Sequence, residues 1–129
     1  MAKNIDRFFA VLLLIGAGGH TFGSFAGYSH QPMVLLWALC ASVLAVLLAT
    51  LNLLRTYRPG DHALAWIVAA GNTSWLVITI VFGILIAKPF DPRVVGFFII
   101  AAALVTFSLK GALGMANGIQ NKFARGETQ

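Results

Sequence analysis

Charged side chains are scarce in this chain of 129 residues. Nine basic and four acidic residues make up only 10% of it, whereas hydrophobic residues make up 59%. An average soluble domain carries about 25% charged residues, so these few charges cannot cover the surface of a water-soluble protein of this size. The scarcity excludes an ordinary soluble enzyme, a disordered chain and a nucleic-acid binder. It predicts an integral membrane protein.

The chain also lacks the residues of several common chemistries. Its single cysteine, Cys40, cannot form an intramolecular disulfide. No zinc-binding spacing, phosphate-binding loop or nucleophile motif occurs. All four acids, Asp6, Asp61, Asp91 and Glu127, lie outside the predicted spans. Paired carboxylates for hydrolysis are therefore missing, and a membrane carboxylate for proton-coupled cation export is missing as well.

Long runs without charge mark four membrane spans. No charge occurs between Arg7 and Arg55, and a turn at 27–32 divides this run. A helix needs about 20 apolar residues to cross a bilayer, so the sequence predicts spans at 8–26, 33–54, 63–87 and 93–113. The runs lack the period-two alternation of barrel strands. The predicted fold class is therefore an all-α integral membrane four-helix bundle with short loops, forming one transmembrane domain. The tail 114–129 keeps a helical spacing and predicts a cytoplasmic helical extension.

Basic residues are distributed unequally between the two ends of the predicted bundle, which sets its orientation. Only Lys88 and Arg93 lie at one end. We expect the other end, with both termini, to face the cytoplasm of a bacterial inner membrane and to contact anionic headgroups. The residues predicted at that membrane surface are Lys3, Arg7, Arg55, Arg58, Lys110, Lys122 and Arg125.

Small residues recur at helical spacing in every span, and such stripes are typical of close helix packing in membranes. On the fourth span the predicted inward face contains Ile99, Ala102, Thr106 and Lys110. The other predicted packing residues are Gly16, Gly19, Gly23 and Gly27 in the first span, Ala41 and Ala45 in the second, and Gly83 in the third.

His20 is the one ionisable residue that the sequence places well inside a span, and such residues are functional candidates. A neutral imidazole could equally join helix one to helix three through Ser24, Asn72 or a backbone carbonyl. Asn72 and Trp75 belong to a polar stretch in the middle of the third span, where an indole N–H requires a buried partner. The predicted ligand or path residues are His20, Ser24, Asn72, Trp75, Thr79 and Thr106.

These observations favour a non-enzymatic accessory or assembly subunit of a membrane complex. The first alternative is an oligomeric transporter or channel for a small solute or ion, with its path near His20 and Asn72. The second is a membrane protein that binds quinone or haem near His20 and Trp75. The sequence predicts neither a metal site nor a cofactor outside this second alternative. A homo-oligomer or a larger membrane complex is expected, and nucleic acid is not.

Overall fold

The computed structural model describes the backbone of residues 2–124 and the side chains of residues 3–114. Within this part the chain is all-helical, without strands. Its elements are α1 (Ala2–Tyr28), α2 (Pro32–Tyr57), α3 (His62–Leu85) and α4 (Pro92–Ala124). Each of the four is long and apolar enough to cross a membrane. The predicted four-helix architecture and its short connections are therefore confirmed.

The fourth helix continues without a break past the predicted end of its span. Its backbone is helical to Ala124, which agrees with the helical spacing of the tail. The placement of this segment at a membrane surface remains a prediction. Arg125 and the side chain of Lys122 lie outside the described residues.

Proline and aspartate begin the later helices. Pro32 and Pro92 occupy the first helical positions of α2 and α4, where a missing N–H costs nothing and the fixed φ suits a helix. Asp61 caps α3 by accepting a hydrogen bond from the Leu64 N–H at 2.9 Å. Turns therefore separate the spans at the places that the proline and glycine positions indicate.

The third helix ends two residues earlier than predicted, at Leu85 rather than at Ala87. The Lys88 N–H donates to the Gly83 carbonyl at 3.3 Å, and the Ala87 N–H donates to the Ile84 carbonyl at 3.0 Å. This pair of bonds is a Schellman motif, which ends a helix through one residue in the left-handed conformation. Ala87 is that residue, with φ 53°. Pro89 indicates that the helix ends nearby, but the alanine at position 87 does not mark the exact stop, because glycine usually holds the left-handed position.

We expect Ala87→Gly to stabilise the protein. A left-handed alanine costs about 1 kcal/mol more than a glycine in the same conformation, so the substitution should raise the free energy of unfolding by up to that amount. Equilibrium unfolding in detergent micelles measures the change. The control is Ala70→Gly, at an exposed position inside α3, which should destabilise the protein by a similar amount. A loss of stability in Ala87→Gly would contradict this account of the helix end.

The connection between α3 and α4 should respond to acid through Asp91. The Asp91 carboxylate accepts hydrogen bonds from the Arg93 backbone N–H and from Arg93 Nε, each at 2.9 Å. The side-chain hydrogen bond from Arg93 is the largest of the effects that lower the pKa of Asp91 from 3.8 to about 2. A carboxyl group whose pKa is lower in the folded state stabilises the fold. This stabilisation is fully present at a pH above the pKa of the unfolded state, and it is lost as the pH falls through the pKa of the folded state.

We therefore expect the Tm of the detergent-solubilised protein to fall between pH 3.8 and about 2. In Asp91→Asn this fall should become smaller, because asparagine still caps a helix but does not titrate. Circular dichroism across this range measures both proteins. An identical pH dependence in the two would show that Asp91 does not contribute.

The helices form a bundle in which α1 packs most closely on α2, and α3 packs most closely on α4. Contacts of α1 with α4 and of α2 with α3 close the ring. Alanine dominates the central cluster, which lets the backbones approach closely. The buried members of this cluster are Ala10, Leu13, Ala17, Ala45, Leu48, Ala49, Trp75, Ala101 and Leu104.

Four of the seven predicted packing residues lie between helices. A methyl group on Gly16 would come within 3.0 Å of the Phe97 ring, and one on Gly83 would come within 2.8 Å of Val94. Ala45 is buried, and Ala41 packs against the central cluster. At these positions the small side chains allow the close contacts that the sequence predicts.

Gly19, Gly23 and Gly27 differ from the expectation, because they do not face another helix in the part of the bundle that the structure describes. All three are exposed, and nothing lies within 4 Å of the position where a Cβ would stand. The inward face of α1 carries Leu13 and Ala17 instead. A stripe of glycines indicates a surface that permits close approach, but it does not indicate which neighbour approaches.

The inward face of α4 is nearly opposite to the predicted one. Ala101, Leu104, Ser108 and Ala112 are buried, whereas Thr106 is exposed. The Thr106 hydroxyl donates to the Ala102 carbonyl of its own helix at 2.9 Å. A threonine that bonds its own backbone needs no partner on another helix, so its polarity does not require it to face inward. The exposed side chains of Ile99 and Lys110 lie on the same outer side.

Candidate functional site

Two buried asparagines form the centre of the polar interior. Asn52 on α2 donates to Asn72 on α3 at 2.8 Å, and Asn72 donates back at 3.1 Å. Asn52 is 0% exposed and Asn72 is 1% exposed. Gly71 allows this approach, because a methyl group there would come within 2.9 Å of a Leu48 methyl group. The reciprocal amide pair joins the two helices in surroundings where an unpaired amide would be costly.

The fourth helix completes this network. The Asn72 Nδ2 also donates to the Leu104 carbonyl and to the Ser108 hydroxyl, both at 3.2 Å. The Ser108 hydroxyl in turn donates to the Leu104 carbonyl at 2.8 Å. We call Asn52, Asn72 and Ser108 the amide cluster. Each of its members is hydrogen-bonded to another. The cluster therefore forms stabilising contacts between helices rather than an open ligand site.

A buried ion pair lies one helical turn beyond Asn52. Arg55 Nη2 donates to both carboxylate oxygens of Asp6 at 2.8 Å, and Arg55 Nη1 lies 3.4 Å from the Phe107 carbonyl. The side chains of Arg55 and Asp6 are only 8% and 9% exposed. The pair therefore joins α1 to α2, and the longer contact reaches α4. The prediction that Arg55 lies at the membrane surface misses this burial.

Arg7 supports the same end of the bundle from the outside. Its Nε donates to the Thr56 hydroxyl at 3.1 Å, and its guanidinium lies 4.4 Å from the centre of the Tyr57 ring. A cation at this distance from an aromatic face is attracted to it. We call this end, where α1 begins and α2 ends, the basic end.

His20 bonds to α2 rather than to α3. Its Nδ1 lies 2.9 Å from the Ser42 hydroxyl, and Ser42 is buried. The predicted partner Ser24 instead donates to the His20 backbone carbonyl at 2.7 Å. His20 therefore joins the first two helices, and Asn72 lies in a separate cluster.

The indole of Trp75 has no hydrogen-bond partner among the described residues. The side chain is buried, and its Nε1 is inaccessible. Its ring lies 6.1 Å from the Phe97 ring in an edge-to-face arrangement, and the His20 ring lies 6.5 Å from the same phenyl group. The structure thus brings His20 and Trp75 to the same aromatic side chain, Phe97.

The remaining predicted site residues do not join them. Thr79 is buried and donates to the Trp75 carbonyl of its own helix at 2.9 Å, while Thr106 is exposed on α4. The six predicted ligand or path residues consequently form no single lining.

Sequence reasoning misses Asp6, Arg55 and Ser108 as interior residues. A weak signal exists for Arg55, because it follows Asn52 by three residues and so shares its helix face. Asp6 and Arg55 also lie near helix ends that an antiparallel pair brings to the same level. Ser108 continues the spacing of Ala101 and Leu104, which is the face that α4 buries.

Within the part of the chain that the structure describes, no three histidine, cysteine, aspartate or glutamate residues form a group suited to a metal ion. Comparison with known proteins finds no matching family model, no matching curated protein and no matching solved structure.

Proposed function

We propose that the chain is a non-enzymatic accessory or assembly subunit of a membrane complex, and that α1 holds another membrane-spanning helix. One observation carries the proposal: Gly19, Gly23 and Gly27 are exposed, and no described residue comes within 4 Å of the position where their Cβ atoms would stand. We call these three residues the outer glycine face. At 100° per residue they fall within an arc of about 80°.

Energetics favours a protein neighbour at this face. Each glycine in a helix interior costs about 1 kcal/mol relative to alanine, and no contact with the described residues compensates for this cost at Gly19 and Gly23. In lipid, a groove of glycines gains packing energy only when another backbone enters it. Elsewhere the outer surface carries large apolar side chains such as Phe22, Ile67 and Leu85, which suit acyl chains.

The polar interior supports the same proposal. The members of the amide cluster bond to one another, and Asp6 bonds to Arg55, so these polar groups join helices of the same bundle. What the bundle offers to a neighbour is therefore its outer surface.

Co-purification from native membranes tests the proposal. Gly19→Leu and Gly23→Leu should each remove a partner that the unaltered protein retains, because a leucine blocks close approach. Gly18→Leu is the matched control: Gly18 is also exposed with open space around it, but it lies about 100° away from Gly19 on the helix. Retention of every partner by both variants would reject the proposal. If the unaltered protein co-purifies only with a second copy of this chain, the proposal is replaced by a homo-oligomer.

We further propose that the basic end faces the cytoplasm of a bacterial inner membrane. Seven of the nine basic residues are assigned to that end by the sequence and two to the other, and such an excess is typical of cytoplasmic loops. Labelling of single cysteines in a Cys40→Ala background tests this. An impermeant maleimide should reach Ser29→Cys in intact cells but not Gly60→Cys, and the reverse pattern would invert the orientation.

A second candidate function is the binding of a lipophilic carbonyl compound such as a quinone beside Trp75. The supporting observation is that the buried indole N–H has no partner among residues 3–114, since such a donor is costly in apolar surroundings. Organic extraction of the purified protein followed by chromatography tests it. Quinone should be recovered from the unaltered protein, and a smaller amount should be recovered from Trp75→Phe. Recovery of equal amounts from both proteins, or of none from either, would reject this candidate.

A further inference from the structure

A cleft opens at the basic end between α1, α2 and α4. Its volume is about 250 Å³, and its lining includes Lys3, Asp6, Arg55, Gly111 and Gly114. Two of these side chains are cations and one is an anion, so the cleft carries one excess positive charge. A concave site of this charge attracts an anion.

Arg55 keeps donor capacity for such an anion. A guanidinium has five N–H groups, and Asp6 engages this one only through Nη2. The acceptor of Nη1 among the described residues is the Phe107 carbonyl at the long distance of 3.4 Å. Among the described residues, at least one hydrogen of Nη1 therefore has no acceptor, and Arg55 lines the cleft. Both oxygens of Asp6 are already occupied, which limits their repulsion of an anion.

Glycines give the cleft its space. A Cβ on Gly111 would lie 3.4 Å from Arg55 Nη1, while one on Gly114 would meet nothing within 4 Å. Larger side chains at these two positions of α4 would cover the guanidinium or fill the opening. The absence of side chains here thus leaves the buried cation reachable from the end of the bundle.

The depth of the cleft corresponds to lipid headgroups. Arg55 lies 23 residues after Pro32, the first residue of α2, which is about 34 Å along the helix at 1.5 Å per residue. The hydrocarbon core of a bilayer is about 30 Å thick. With Pro32 at the opposite boundary of this core, an anion in the cleft would lie at the level of the lipid phosphates, where basic pockets between helices suit anionic headgroups.

We propose that this cleft binds the phosphate group of an anionic membrane lipid, with Lys3 Nζ and Arg55 Nη1 as donors. The lipid bridges α1, α2 and α4 at the basic end and stabilises their contact. This site is distinct from the outer glycine face and does not depend on the function proposed for that face.

Lipid binding to the purified full-length chain tests the proposal. Native mass spectrometry and thermal unfolding compare phosphatidylglycerol, phosphatidylcholine and inorganic phosphate as probes. Phosphatidylglycerol should bind more tightly than phosphatidylcholine and should raise the Tm. Inorganic phosphate at the same concentration should have little effect, and an equal effect would overturn the assignment to a lipid.

Two variants and two matched controls locate the site. Gly114→Leu fills open space and should abolish the preference for phosphatidylglycerol. Lys3→Gln removes an exposed cation without disturbing the core and should weaken binding about fivefold, since one basic residue near a headgroup contributes about 1 kcal/mol. The controls are Gly96→Leu, on the same helix with open space around it, and Lys88→Gln, an exposed cation at the opposite end. An unchanged preference in Gly114→Leu and Lys3→Gln, or an equal loss in the controls, would overturn the proposal.

Discussion

Replacement of Asp6 by alanine should lower the free energy of unfolding by about 3 kcal/mol, because it leaves a buried guanidinium without its counter-ion. The Asp6 carboxylate accepts both short bonds of Arg55, and Arg55 Nε already lacks a partner among the described residues. Titration with dodecyl sulfate in mixed micelles, followed by circular dichroism, measures the loss.

A second variant distinguishes the effect of the unpaired charge on stability from the effect of lost side-chain packing. Asp6→Leu combined with Arg55→Met removes both charges and keeps apolar volume, so it should recover most of the stability. Lys110→Gln is the control, because Lys110 is exposed toward the same end, and it should unfold like the unaltered protein. If Asp6→Ala were as stable as this control, the ion pair would not hold α1 to α2.

Replacement of Asn72 by leucine should lower the free energy of unfolding by about 2 kcal/mol. The substitution removes the hydrogen bonds to Asn52, Ser108 and the Leu104 carbonyl. Polar contacts between membrane helices contribute about 0.6–2 kcal/mol each, and the buried Asn52 amide loses its partner. The same titration measures this loss.

The pair of asparagines should be energetically coupled. Asn52→Leu with Asn72→Leu should cost at least 1 kcal/mol less than the sum of the single losses, because neither amide is then left unpaired. Thr73→Val is the control: Thr73 is exposed and bonds its own helix through the Ala69 carbonyl. Additive losses of the two asparagines would show that the reciprocal amide pair does not stabilise the fold.

Helix number and helix ends were largely predictable from local chemistry. Charge-free runs define the four spans because a charge in hydrocarbon is costly, and prolines and N-cap aspartates define the turns. The early stop of α3 at Leu85 escaped prediction because it depends on the left-handed conformation of Ala87, a position at which the sequence offers no glycine.

The direction in which each helix faces was less predictable. In α4, Thr106 suggested the wrong side because its hydroxyl bonds its own backbone, so its polarity carries no directional information. Asn72 lies in the interior, because an amide has more donors and acceptors than its own helix can satisfy. The number of hydrogen-bond donors and acceptors that a side chain cannot satisfy within its own helix therefore decides whether it must face inward, and polarity alone does not.

Long-range partners were the least predictable feature. The contact between Asp6 and Arg55 joins residues 49 positions apart, and it depends on the level at which two antiparallel helices meet. Scarcity of charge suggested that each charge lies at a surface, whereas two of them neutralise each other inside the bundle.

The central claim is that the polar interior holds the helices together while the outer glycine face binds a partner. Co-purification of two variants from native membranes tests it most directly. We predict that Asn52→Leu with Asn72→Leu, if folded by circular dichroism, keeps the partner, and that Gly23→Leu loses it. Loss of the partner from the folded interior variant together with its retention by Gly23→Leu would contradict the account.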